Sequence, residues 1–118
     1  MTANTPASRK AKGASFQKDI VSFLLKTFPS LTDSDVRSVP SSVPGTDIWL
    51  SSEALKKFNY DVEAKRTESF NVWAALKQCE DRTTKSKRTP LVVFKRNRSD
   101  TYCCLKFEDF LKLVEEKR

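Results

Sequence analysis

The stretch "YDVEAKR", residues 60–66, constrains the fold more than any other part of the chain. It alternates strictly: Val62 and Ala64 point one way, Asp61, Glu63 and Lys65 the other. A period of two marks a β-strand, whose successive side chains face opposite sides of a sheet. "PLVVFKR", residues 90–96, is a nearly continuous apolar run, typical of a strand covered on both faces. A helical segment lies between the two. Strand, helix and buried strand in succession demand a layered architecture. Charges on a covered sheet face are costly unless they have work to do there.

The flanking segments complete the pattern. Phe16, Ile20, Val21, Phe23, Leu24, Leu25 and Phe28 predict a helix from Ala14 to Phe28, stopped by Pro29. At about 100° per residue, its apolar face centres near Gln17, with Lys18, Asp19, Ser22 and Lys26 opposite. An amide in that place either satisfies a backbone group or aims at a site beneath the helix. Residues 1–13 read as a flexible basic arm, and residues 14–118 as a single domain. "LTDSDVRSV" predicts a short strand near Val36–Val39, and "PSSVPG" a loop. "TDIWLS" reads as a strand with Asp47 and Trp49 on one face and Ile48 and Leu50 on the other. "SEALKKF" reads as a helical turn or connector. Ser69 can cap a helix from Phe70 to about Arg82. "TYCCLKF" predicts a return strand, and "FEDFLKLVEEK" places Phe107, Phe110, Leu111 and Val114 on one helical face. Both tryptophans, Trp49 and Trp73, read as packing residues. The expected fold is α/β, with a mixed central sheet of four to five strands flanked by helices.

Composition narrows the chemistry. The 118 residues suit one modest core, and no apolar run approaches a membrane span. The opening "MTANTPASRKAKG" lacks the apolar stretch of a signal peptide. The expectation is a complete, soluble, cytoplasmic protein. Cys79, Cys103 and Cys104 show no paired spacing and read as small core residues. There is no His, which removes Ser-His and Cys-His nucleophiles and His-ligated zinc. The net charge of +7 favours an anionic partner, most often nucleic acid. The basic residues cluster in "SRKAKG" (8–13), "RTTKSKR" (82–88) and "FKRNR" (94–98), at a tail or at turns where they can reach phosphates. Arg9, Lys10, Lys12, Lys85, Lys87 and Arg88 are candidates for that contact.

Within the first strand, Glu63 and Lys65 fall on one face about 7 Å apart. Asp47 lies 16 residues before Glu63, on a strand that can return beside it through the "SSEALKKFN" turn. Two carboxylates so placed suit magnesium or manganese, and a lysine beside them can orient water and neutralise charge on a phosphate. The bare pattern also describes three surface charges.

Together these segments carry a resemblance. "PGTD…VEAK" resembles the signature of the PD-(D/E)xK nuclease superfamily, whose core runs helix, strands with the acidic residues, helix, strand. "KGASFQKDIVSFLL" resembles the opening helix of archaeal-type Holliday junction resolvases and their phage relatives. "DVRSVPSSVPGTDIWLS" is similar to their loop and strand before the catalytic Asp. "ESFNVWAALKQCE", "TPLVVFKRNRS" and "FEDFLKLV" resemble later segments of small phage-encoded members. The resemblance spans roughly residues 9–115.

It implies a magnesium-dependent endodeoxyribonuclease, with manganese able to substitute, and most specifically a resolvase. Asp47 and Glu63 would be metal ligands, with the Ala64 carbonyl a third, and Lys65 the catalytic lysine. Gln17 stands where the archaeal resolvases usually have a first-helix Glu. Gln78 falls near the active site. Ser41 and Ser42 occupy the loop that approaches the scissile phosphate. Arg37 and Arg66 join the expected DNA contacts, Arg66 as a backbone-positioning residue. A four-way junction has two-fold symmetry and suits a homodimer, with the C-terminal helix or residues 101–107 as candidate interfaces. Two rival readings stay open. One is a general phage nuclease without junction preference. The other is a non-catalytic nucleic-acid-binding protein in which Asp47, Glu63 and Lys65 form an ion-pair network. A four-carboxylate RNase H-like resolvase fits poorly.

Overall fold

A computed structural model describes residues 5–116. Helix α1 runs Pro6–Thr27, and strands β1 (Val36–Ser38) and β2 (Ile48–Leu50) follow. After them come helix α2 (Ser52–Lys57), strand β3 (Tyr60–Arg66) and helix α3 (Val72–Thr83). Strands β4 (Thr89–Lys95) and β5 (Tyr102–Cys104) and helix α4 (Phe107–Glu116) complete the chain. β3 and β4 pair in parallel, with Lys65 opposite Phe94, and α3 is the crossover between them. β5 returns antiparallel to β4. β1 and β2 form a separate antiparallel pair, Val36 opposite Leu50. The expected single sheet of four to five strands is therefore divided into a pair and a mixed three-stranded sheet. Among the described residues the backbone bond at the seam is Asp47 N–H to the Val62 carbonyl, at 3.2 Å.

The larger core lies between α1 and the sheet. Phe16, Ile20 and Leu24 of α1 meet Val36, Ile48, Leu50, Val62, Leu91 and Val93. Their spacing of four sets the inward stripe, with Val21, Leu25 and Phe28 packed beside it, while Phe23, on the expected apolar face, is exposed instead. On the opposite face, Ala75 and Cys79 of α3 cover Val92. This explains why β4 is apolar throughout: Val93 serves one core and Val92 the other.

Several sequence expectations are corrected. α1 begins at Pro6, not Ala14, so residues 6–13 belong to a helix rather than an arm; residues 1–4 lie outside the described residues. The Thr5 hydroxyl accepts the Ser8 N–H at 3.1 Å, and Pro6 is prearranged for the first helical position. α3 is capped by Asn71, whose side chain accepts the Ala74 N–H, rather than by Ser69. Trp73 is 79% exposed and Cys103 is exposed, so neither packs in a core; Trp49 lies at the surface beneath the Arg37 guanidinium, 4.2 Å from its ring centre. α4 carries its predicted apolar face, yet Phe107, Phe110, Leu111 and Val114 are all exposed. Among the described residues no helix is long and apolar enough to cross a membrane.

Substitution should separate these environments. Ile48→Ala removes a wholly buried side chain and is expected to cost about 2–5 kcal/mol in urea unfolding. Leu111→Ala on the open face of α4 should stay within about 0.5 kcal/mol of the parent.

Candidate active site

The site grows from a match of two periods. Two residues along a strand advance roughly 6.6 Å, and four along a helix about 6 Å. α3 packs across β3, so Gln78 and Arg82 of α3 come opposite Lys65, Glu63 and Asp61 of β3. Lys65 Nζ donates to Gln78 Oε1 at 3.3 Å. One turn on, the Arg82 guanidinium lies across both carboxylates. Its Nη1 donates to Glu63 Oε1 at 2.6 Å, and its Nη2 to Asp61 Oδ1 at 2.6 Å. Its Nε reaches both Asp61 oxygens at 3.1 Å. The side chains of Asp61 and Glu63 are only 6% and 5% exposed. Lys65 Nζ closes on the other Glu63 oxygen, Oε2, at 3.4 Å.

Asp47 arrives from the other side. It precedes β2 and is held twice against β3: by its own N–H on the Val62 carbonyl, and by Oδ2, which accepts the Ala64 N–H at 2.7 Å. Both contacts fall on the strand edge facing away from β4. The Ala64 carbonyl leaves β3 along that same edge, because the N–H and C=O of one strand residue share a side. Burial pushes the Asp47 carboxyl up to about 6. The Ala64 N–H opposes that shift, the neighbouring Glu63 charge adds to it, and Arg82 and Lys65 pull it back.

Asp47, Glu63, Ala64 and Lys65 line one cleft of about 630 Å³ under the N-terminal half of α1. Arg9, Lys10, half-buried Gln17 and Lys18 form its α1 wall, and Ser41 and Ser42 its loop wall. The structure thus gathers the carboxylates, Lys65, Gln17, the two serines, Arg9 and Lys10. Gln78 stands behind Lys65 as its hydrogen-bond partner.

The remaining candidates lie elsewhere. Arg37 is stacked on Trp49. Arg66 points to the face opposite Lys65, where it pairs with Glu68 at 3.3 Å and donates to Asn97 Oδ1 at 2.6 Å. Lys12 turns toward Arg66 and Lys95. The segment with Lys85, Lys87 and Arg88 sits at the opposite end of the sheet: Asn59, just before β3, bonds the Lys87 carbonyl and the Thr89 N–H. Beside Arg88 are Glu80, Asp81 and Glu108.

Sequence reasoning missed Arg82 and the full role of Asp61. The signal was present in the four-residue spacing of Gln78 and Arg82, opposite the two-residue spacing of Lys65 and Glu63. A scan of protein-family models finds no match to this chain, and comparison with curated proteins and with solved structures finds none either.

Two stability measurements probe the site. Arg82→Met leaves buried Asp61 without a cation and buried Glu63 with Lys65 alone, and is expected to cost about 3–5 kcal/mol near pH 7. Asp47 has a folded pKa (about 6) above its ordinary 3.8, so the folded state binds the extra proton and stability falls as pH rises through that window. In EDTA, Asp47→Asn should therefore be more stable than the parent above pH 6, with the gap closing toward pH 4. At about 1.36 kcal/mol per pH unit, the gain is at most about 3 kcal/mol, and partial exposure lowers it.

Proposed function

We propose that the chain is a metal-dependent DNA endonuclease of the PD-(D/E)xK type, acting on branched DNA of the four-way-junction kind. The observation that carries this reading is the convergence of Asp47, Glu63 and Lys65 on one cleft whose α1 wall is basic. Hard oxygen donors set beside a lysine suit phosphodiester hydrolysis, and the basic wall suits the flanking phosphates.

The donor set fits magnesium or manganese. Among the described residues no cluster of three or more acidic, Cys or His side chains gathers to hold a metal. The set is Asp47, Glu63 and the Ala64 carbonyl, and magnesium commonly takes one or two carboxylates and keeps water and phosphate oxygens for its other positions. Burial of Asp47 beside Glu63 leaves negative charge that a cation would relieve. A bound divalent ion supplies Lewis-acid stabilisation of the scissile phosphate and a more acidic water. Arg82 fixes the Glu63 rotamer through its bond to Oε1. The Ala64 N–H fixes Asp47. Gln78 holds Lys65 Nζ beside Glu63, from where it can orient the attacking water and offset charge building on the phosphate. Gln17 lines the cleft and can hold a water there. The basic groups around the cleft contact phosphate rather than bases, which suits recognition by shape and charge. Paired cuts in a two-fold junction call for two clefts, hence a homodimer, with the exposed apolar face of α4 as the surface for the second copy.

One observation favours a non-catalytic reading. Both oxygens of Glu63 already have cationic partners, as in a structural ion-pair network on a nucleic-acid-binding protein.

Cleavage of a labelled four-way junction and a matched duplex, in magnesium and in EDTA, separates the readings. The expected outcome is magnesium-dependent paired nicking of the junction, abolished by Glu63→Ala, with Asp47→Asn retaining DNA binding but not cleavage. Equal cutting of both substrates would make the protein a general nuclease. DNA binding without cutting under magnesium or manganese would favour the structural network.

A further inference from the structure

Beyond the cleft, basic residues collect on the tight turn that follows β4. Arg96 and Arg98 are exposed, and Lys12 of α1 lies across a shallow groove from them, with Asn97 and Glu68 in its walls. Lys95 and Lys12 meet again on the adjoining side, with Arg66 and Asp19. Among the described residues Arg96, Arg98, Lys95 and Lys12 form no ion pair. The nearby carboxylates are few. Glu68 is already engaged by Arg66 at 3.3 Å and by the Asn97 N–H at 2.6 Å; Asp19 and Asp100 flank the group.

The turn is built rather than loose. Ser99 closes it, with its Oγ accepting the Arg96 N–H at 3.0 Å and its N–H donating to the Arg96 carbonyl at 3.2 Å. Asn97 is clamped by Arg66 and Glu68, and Thr67 N–H donates to the Lys95 carbonyl at 3.2 Å. Arg98 adopts a left-handed backbone, φ 60°, that an arginine rarely takes. The clamp residues follow Lys65 directly in the chain. In the parallel register Lys65 lies opposite Phe94, so Arg96 is two residues along and one strand across, roughly 8 Å between Cα atoms. The pinned turn thus holds two exposed arginines, without an ion pair among the described residues, close to the Lys65 end of the cleft.

Resting on the nucleic-acid reading of the cleft, we propose that Lys12, Lys95, Arg96 and Arg98 form a second phosphate-backbone contact surface. It takes the nucleic-acid segment leaving the cleft past the ends of β3 and β4, while Arg9 and Lys10 hold the segment on the other side. It binds backbone and reads no bases, since two exposed turn arginines beside two half-buried lysines offer charge and donors without a groove-entering element. The loop with Lys85 and Lys87, at the far end of the sheet, takes no part.

Fluorescence anisotropy with a labelled four-way junction and a matched duplex, from 50 to 300 mM salt, tests the assignment. The variant is Arg96→Gln with Arg98→Asn, because Asn tolerates the left-handed conformation and keeps the turn. Lys85→Gln with Lys87→Gln is the control. The expected result is about ten-fold weaker binding or more for the turn variant, with the log–log salt slope reduced by about 2. Arg96→Lys in an otherwise native chain, which keeps the charge, should retain most of the affinity, and the control should bind like the parent. Turn-variant binding with parental affinity and slope, while the parent binds DNA, overturns the second surface alone. Equal weakening by the Lys85 and Lys87 control overturns it too, by showing general charge rather than a located surface. Absence of binding by the parent overturns both this surface and the nucleic-acid reading beneath it.

Discussion

Three charges meet where the sheet is covered by α3: Asp61 and Glu63 from β3, and Arg82 from the helix above. The guanidinium spans the carboxylates with contacts down to 2.6 Å, and both acids are almost wholly shielded from water. Burying two carboxylates on neighbouring sites of a strand is prohibitive unless a cation is supplied from the same layer. Arg82 supplies it, and in doing so sets where α3 can sit along β3. An apolar replacement of the whole trio could stabilise the fold as well or better. What the ionic arrangement adds is position: Glu63 has one oxygen tied down and the other turned toward Lys65 and the cleft.

The rest of the site follows from that anchoring. With α3 in place, Gln78 meets Lys65 one helical turn before Arg82 meets Glu63. On the other edge of β3, Asp47 is bound through the exposed backbone of Val62 and Ala64. That edge is available because β2 pairs with β1, and among the described residues the backbone bond to β3 comes from Asp47, just before β2. The break between the two sheets is what opens the cleft. A continuous five-stranded ladder would have filled that edge with strand pairing and given the Ala64 N–H to a strand carbonyl instead of to Asp47.

Much of this was legible in the residues. The alternation of "YDVEAKR" and the apolar run of "PLVVFKR" placed β3 and β4, and the pairing of Val92 with one core and Val93 with the other explains why that run lacks alternation. Asp47, Glu63 and Lys65 could be singled out from spacing and chemistry. The start of α1 was not read: residues 6–13 are polar and resemble an arm, whereas the structure caps them with Thr5 and opens the helix at Pro6. The exposure of Trp73, Cys103 and the apolar face of α4 could not be read, because periodicity reports which residues share a face and not what lies against it.

By itself, then, the sequence determined the elements, their faces, and the types of residue available to a site without histidine. The tertiary structure decided which of those residues meet. It sent Lys85, Lys87 and Arg88 to the far end of the sheet and Arg66 to the opposite face, and it brought Arg82 from 16 residues beyond Arg66 onto Glu63. The physical reason is that strand and helix periods fix directions only within an element. The register between elements is set by packing and by the pairing of buried charge, and those belong to the folded chain.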